Sequence, residues 1–387
     1  MRSLAGLRLA ILAPISWPVP PRGYGPWEQI AHTLAAGMSA RGLDVTLFAS
    51  ANSTSPVRIA SVVPVGTSED PALSGDVYGA LHTAHCFARA REFDLIHNNF
   101  DWKPLTYALA TTDPPLLTTI HGFSSPPILA AYYAAAWRSF YCSISDSDRD
   151  PGLDYLATTY NGIDPADFTF VATPGDYLLF LGRFHPEKGT HLAIEIAKRA
   201  GVRLVIAAIP QDTAYFDAQV APHIDGDRVR FVGAVDREER DGLLGGALAL
   251  VHMTTRPERF GMTMIEAMAC GTPVLGARMG SIPEIVVDGE TGFLCDDVDA
   301  AVTQVSSLAR LDRRACRRRV ETTFSHERML DGYAAAYRIA LDRRTPAPAS
   351  DGAIAAREHD YWDRPMAFTD LPEKPRTLIA GPGIVWS

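Results

Sequence analysis

The amino-acid sequence predicts an α/β protein made of two doubly wound parallel sheets facing a common cleft. Three observations predict it. A chain of 387 residues exceeds what one hydrophobic core usually serves, so two domains are expected. Short unbroken apolar runs alternate with stretches of helical spacing, as when crossover helices join buried parallel strands. The alternation occurs twice, and the second series begins after the linker-like VATPGD at 171–176.

In the first series RLAILA (8–13) is a buried strand, followed by the loop SWPVPPRGYGPW and a helix from about Trp27 to Arg41. Pro26 falls where a first helical residue would sit, which suits proline. Strands follow at 44–49, 94–97, 116–120 and 139–144, with helices at about 76–92, 101–111 and 126–137. Strands of the second series are expected at 177–182, 203–208, 229–233, 248–252 and 273–277. Its helices fall at about 188–200, 236–246, 262–270 and 297–309, and one or two more cover 312–342. The expected divisions are 1–168, 169–325, a helix at 326–344 returning toward the first domain, and a tail at 345–387. The tail mixes proline, acid and aromatics without periodicity, so it reads as extended or partly disordered.

Composition narrows the function. A formal net charge of −9 disfavours nucleic acid as partner, and 47% hydrophobic with 21% charged residues suits a soluble globular chain. Five cysteines without a CxxC pair suggest buried thiols in a reducing cytoplasm, with neither a disulfide frame nor a zinc site. No uninterrupted apolar run has transmembrane length. The first strand is not followed by GxGxxG, which argues against a nicotinamide dehydrogenase.

In open α/β sheets ligands gather at the carboxyl ends of strands, and candidate residues cluster at such places. Gly23 and Gly25 lie in a loop leading into a helix, the form of a phosphate cradle. In LGRFHPEKG (181–189), Gly182 and Arg183 end a strand and Lys188 opens a helix, so a guanidinium fork and a point charge could both meet a diphosphate. Lysine occurs only at Lys103, Lys188, Lys198 and Lys374. His121 and His97 end strands, and Gly122 allows close backbone approach beside the former. In RPERFGMTMIEAMACG (256–271), Glu258 and Glu266 flank a turn at Phe260–Gly261 and a helix N-terminus. They would act as hydrogen-bond acceptors for a ligand rich in hydroxyls, or merely cap the helix. Asp146 and Asp148 read as helix caps rather than metal ligands, so no metal site is expected. The arginine run 308–319 reads as a solvated helix face, with contact to anionic lipid as the alternative.

RPERFGMTMIEAMACGTPV resembles the signature of retaining glycosyltransferase family 4, a Glu, seven residues, then a Glu. GRFHPEKG resembles its phosphate-binding segment, and PPRGYGPWEQIAHTLAAGMSARGLDVTLFAS its N-terminal loop, helix and strand; YNGID and GSIPEIVVDGETGF match too. The likeness spans roughly Leu7 to Leu341. It implies a GT-B fold of two Rossmann-like domains, no cofactor beyond a UDP- or GDP-sugar donor, and a cytoplasmic, metal-independent hexosyltransferase. The acceptor, a small molecule, glycan or lipid, stays open.

The resemblance further implies that Arg183 and Lys188 hold the diphosphate, that Glu266 holds the ribose and that the base lies near Gly233 and Val235. Glu258 and the Phe260, Gly261, Met262 and Thr263 segment would hold the sugar, with His121 near its C6 hydroxyl. Gly25 and Gly182 complete the expected site. Gly25-Pro26 stands where the family usually has two glycines. The alternatives are a non-catalytic nucleotide-sugar-binding protein, or a GT-B phosphorylase or epimerase.

Overall fold

The architecture comes from a computed structural model, which describes residues 3–123 and 125–343. The tail expected at 345–387 lies outside the described residues. The N-terminal lobe contains β1 (Arg8–Leu12), α1 (Pro26–Ala40), β2 (Asp44–Phe48), β3 (Arg58–Ala60) and α2 (Gly75–Ala88). It continues with β4 (Leu95–Asn98), α3 (Lys103–Ala108), β5 (Leu116–Ile120), α4 (Leu129–Ala134), β6 (Ser139–Ser143) and β7 (Tyr155–Thr158). These strands form one parallel sheet in the order β3-β2-β1-β4-β5-β6-β7. The middle strands β1, β4 and β5 are almost wholly buried, as their continuous apolar runs require.

The C-terminal lobe repeats the design. It contains β8 (Tyr177–Phe184), α5 (Thr190–Ala200), β9 (Arg203–Pro210), α6 (Thr213–Gln219), β10 (Val229–Gly233), α7 (Arg237–Gly246) and β11 (Ala249–His252). Then come α8 (Met262–Ala269), β12 (Val274–Ala277), α9 (Ile282–Ile285), β13 (Gly292–Cys295), α10 (Val298–Val305) and α11 (Arg313–Thr323). Its strands are parallel in the order β10-β9-β8-β11-β12-β13. Both sheets reverse direction of winding once, between β1 and β4 and between β8 and β11. Those switch points open crevices beyond the strand ends.

The final helix α12 (His326–Arg343) belongs to the N-terminal core. The crossing to it runs beside the first crossing: Ile163 donates to Phe324 O and His326 donates back to Ile163 O. Tyr337 and Tyr333 then reach under the sheet. The Tyr337 hydroxyl lies 2.7 Å from His97 Nδ1, Thr119 Oγ1 lies 2.8 Å from His97 Nε2, and Tyr333 lies 3.0 Å from Thr119. His97 is therefore a fully buried core residue. Burial pushes its pKa down to about 3, so it stays neutral.

Three expectations need correction. Strands β3, β7 and β13, each three or four residues long, were not expected from their patterns. The ISDSDRD segment does not begin a helix. It is a turn after β6, where Asp146 bonds Thr158 and the Asp146 and Ser147 amides donate to Glu284. The arginine run is a solvated face only in part: Arg310, Arg314 and Arg318 are exposed, while three others turn inward. Arg313 is buried and donates to Val171 O, Ala247 O, Gly245 O and Thr272 Oγ1 at 2.6–2.9 Å. Arg317 donates to Phe168 O and Ala269 O, and Arg319 to Glu284 O. These guanidiniums satisfy carbonyls left free at loop and helix ends, so they are spent inside the lobe and unavailable to a lipid surface.

Replacing Arg313 by Met would strand these carbonyls in the interior. We expect thermal or denaturant unfolding to show a loss of about 3 kcal/mol, the scale of a broken buried charged network.

Candidate active site

The cleft between the lobes has a volume of about 2180 Å³ and is lined from both sides. That exceeds the few hundred to one thousand Å³ of a usual small-molecule site, leaving room for two substrates. On the C-terminal side the lining comes from the ends of β8, β9 and β11 and from α7 and α8, around the switch point of that sheet.

β8 runs two residues further than expected, so Arg183 still lies within the strand. Its Nη1 donates to Gln211 at 2.7 Å, and its guanidinium stacks on Tyr24 from the other lobe at 5.6 Å. Lys188 does not open α5. It ends a one-turn 3-10 helix (Pro186–Lys188) capped by His185, and Gly189, at φ +71°, precedes the α5 start. That left-handed residue aims Lys188 across to the neighbouring loop, where its Nζ meets Glu258 Oε2 at 2.7 Å. His252 Nε2, at the tip of β11, lies 3.0 Å from the same oxygen.

Glu258 is thus a fixed acceptor. Burial alone would raise its pKa, but the His252 hydrogen bond and the Lys188 charge outweigh burial and hold it well below the carboxylate range. Its backbone is fixed as well. Ser281 N donates to Glu258 O at 2.9 Å, and a Cβ on Gly280 would come within 2.5 Å of Glu258 N. Gly261, at φ +87°, caps α8, and a side chain there would overlap Met264. Phe260, Gly261, Met262 and Thr263 line the cleft at this helix N-terminus.

One turn on, Glu266 lines the cleft and is buried, 3.4 Å from Arg240 of α7. Burial raises its pKa and Arg240 opposes the rise. Val235 and Ala234 line the cleft; Gly233 stands just behind them.

From the N-terminal lobe come Gly25, His121 and an aromatic wall of Trp17, Tyr24, Trp27, Phe100 and Trp102. His121 is nearly buried, donates from Nε2 to Asn99 Oδ1 at 3.0 Å, and stacks on Trp27 with ring centroids 5.3 Å apart. Its burial lowers the pKa to about 3, which leaves a neutral imidazole. Pro26 is the first residue of α1, and Gln29 N donates to Gly25 O. Glu28, 3% exposed, accepts from Trp17 N at 3.2 Å.

His252 and Arg240 were missed from the sequence. His252 had the same signal as His121, an imidazole ending an apolar strand; Arg240 had none, being one of several charges on an exposed helix. Asp146 and Asp148 face protein partners, Asp148 pairing with Arg259 at 2.6 Å.

Two family models match the lobes. "Glycosyl transferases group 1" covers residues 169–322 and "Glycosyltransferase Family 4" covers residues 28–149. The chain belongs to glycosyltransferase family 4. Among relatives of this transferase is a glycogen synthase of Mycobacterium tuberculosis, 28% identical over 415 aligned residues, covering 90% of this chain and 99% of that protein. A D-inositol 3-phosphate glycosyltransferase of Mycobacterium marinum is 33% identical over 229 residues, 55% of this chain and 47% of that protein. The structure of Anabaena HepE in complex with UDP and glucose superposes with a TM-score of 0.68 at 19% identity, covering 86% of this chain and 100% of that one. The fold of the transferase is GT-B.

Glu28 carries a pH signature. Burial moves its pKa from 4.5 up to about 7, so above pH 4.5 the unfolded chain gains a charge that the folded chain resists. The cost is absent in acid, grows as pH rises, and is complete above about pH 7. Glu28→Gln should therefore stabilise the transferase by up to about 3 kcal/mol near pH 8 and by little near pH 4, read as melting temperature against pH.

Proposed function

We propose that the chain is a retaining hexosyltransferase that moves a sugar from a UDP- or GDP-sugar to a hydroxyl acceptor without a metal. The observation that carries this reading is the placement of Lys188, Glu258 and the α8 N-terminus together at the C-terminal switch point. A nucleotide diphosphate leaving group gains negative charge in the transition state, so cations placed against it lower the barrier. Arg183 and Lys188 take that role. Glu258 and the backbone of Phe260–Thr263 hold the sugar hydroxyls, Glu266 the ribose, and the base lies by Val235. His121, being neutral, serves as a hydrogen-bonding partner for a sugar hydroxyl rather than as an acid.

The acceptor oxygen attacks the anomeric carbon on the face from which the diphosphate departs, and the departing phosphate oxygen takes its proton. Configuration is thereby kept. The acceptor enters along the aromatic wall of the N-terminal lobe, which suits a ring with an apolar face. The UDP bound to HepE makes uridine donors the first to test. A cytoplasmic setting accords with five free, buried cysteines, and among the described residues no helix is long and apolar enough to cross a membrane.

Transfer from a panel of nucleotide sugars, with the anomeric product read by NMR, tests the proposal. Arg183→Ala and Lys188→Ala should each lower transfer by about 100- to 1,000-fold with the fold intact, the scale of a lost transition-state charge partner. Activity should persist in excess chelator. Wild-type turnover in either variant, an inverted product, or strict dependence on manganese overturns it. Donor binding without transfer would favour the non-catalytic reading.

A further inference from the structure

The turn after β6, with its Asp146-Ser147-Asp148 triplet, has no part in the reaction just described, yet the C-terminal lobe grips it closely. Ser145 Oγ donates to Arg259 O at 2.7 Å, and the Glu284 carboxylate accepts from both Asp146 N and Ser147 N at 2.8 Å. Arg259 itself sits between Glu258 and Phe260, inside the segment assigned to the donor sugar. Its side chain leaves that segment and enters the N-terminal lobe. There Nη1 donates to Asp148 Oδ1 at 2.6 Å and Nη2 donates to Phe123 O at 2.7 Å. The aliphatic stem lies over Gly122, at φ +113°, so closely that a Cβ there would overlap it.

Asp148 is mostly buried, with a side-chain exposure of 13%. Such a carboxylate keeps its charge at a desolvation cost unless a cation answers it. Arg259 is that cation, and its planar fork holds two acceptors at once in fixed geometry. The Phe123 carbonyl it holds is two residues beyond His121. One side chain thus ties the strand end that carries His121 to the loop that carries Glu258.

We propose that Arg259 is a positioning residue, whose fork on Asp148 and Phe123 O sets His121 of one lobe in register with Glu258 of the other across the sugar subsite. The inference rests on the hexosyltransferase reading for its consequence but not for its geometry. Binding of the nucleotide is left to Arg183, Lys188 and Glu266, none of which Arg259 touches. Losing the fork therefore misplaces the sugar and leaves the nucleotide held.

The test compares Arg259→Ala, Arg259→Lys and Asp148→Asn with wild type in three measurements. Hydrogen exchange of the Gly122 and Phe123 amides reads the register directly and needs no donor. Calorimetry with UDP and GDP reads the nucleotide. Steady-state transfer reads kcat and KM apart. Arg259→Ala should exchange faster at these two amides, bind nucleotide within about threefold of wild type, and lose about 100-fold in kcat, the scale of a misplacement near 1 Å. Arg259→Lys, which keeps the charge but only one contact at a time, should recover part of kcat. Asp148→Asn, which keeps an acceptor, should fall between.

Unchanged exchange in Arg259→Ala overturns the proposal, as does unchanged kcat. So does a parallel loss of nucleotide binding and melting temperature, which would make Arg259 a stability contact only. If wild type transfers from no donor, the hexosyltransferase reading fails, and the exchange measurement still decides whether Arg259 sets the register.

Discussion

The contact between Lys188 and Glu258 joins loops that follow β8 and β11, neighbours in the sheet though 70 positions apart in sequence. Two charges of opposite sign meet at 2.7 Å in a partly dry cleft, with His252 as a third member. Such a pair is weak evidence of stability, since desolvation takes back much of the attraction. Its value lies in geometry. Each group holds the other in a single orientation, and the backbone around them is close: a side chain at Gly280 would overlap the Glu258 backbone, and one at Gly189 the Met253 carbonyl. In the proposed donor complex the pair is replaced in kind. Phosphate oxygens accept hydrogen bonds from the lysine and sugar hydroxyls donate to the carboxylate, so neither charge is left alone. Charges arranged before the donor arrives need little reorganisation when the leaving group becomes more negative.

Such a site requires that two lobes keep their alignment. The chain achieves it with adjacent crossings at Ile163 and Phe324–His326 and by sending α12 home to the first lobe. Apolar residues of α12 such as Met329, Leu330 and Leu341 bury it in that core, and polar ones fix its position. Tyr337, His97, Thr119 and Tyr333 form one hydrogen-bonded chain under the sheet. A buried network of that kind specifies one docking position because every shifted position strands a donor or an acceptor. His97 therefore serves the cleft at a distance, by fixing the helix that closes the first lobe.

Long, uniformly apolar strands were legible from the sequence, because a run such as YLLFLG has no other comfortable place than a sheet interior. The half-exposed YLAT of β7 and the short GFLC of β13 were not, since four residues cannot establish a period and tertiary pairing alone makes them strands. Glu258, Glu266, Arg183 and Lys188 could be singled out because each stands beside a glycine turn or a strand end. What could not be read was who partners whom. Charge spacing made 308–319 look like a solvated face, yet Arg313, Arg317 and Arg319 turn inward to loop carbonyls that only the fold brings near. Asp148 looked like a cap, and its partner lies 111 positions away. Local pattern sets the elements, and long-range pairing sets the side-chain roles.

The same reasoning bears on Gly25 and Pro26. A glycine loop leading into a helix suggests an anion cradle, because the first turn offers free N–H groups and a positive dipole. Here the first helical residue is proline, which has no N–H to give, and the Glu28 carboxyl stands close by, its Oε2 some 3.1 Å from where a Gly25 Cβ would lie. An anion placed there would meet a carboxyl instead of amides. Among the described residues that carboxyl has no ion-pair partner, and it resists ionising up to about pH 7, so it behaves as a hydrogen-bonding group and not as a counter-charge. The N-terminal lobe's cations that line the cleft are engaged already, Arg22 with Glu69, Arg41 with Glu327 and Asp331, and Lys103 with Asp76. Negative charge is then best accommodated on the C-terminal wall alone, by Arg183 and Lys188. A cleft with its proposed diphosphate-holding cations on one side and its aromatic rings on the other would give its two substrates different chemistries, and so keep donor and acceptor from exchanging places.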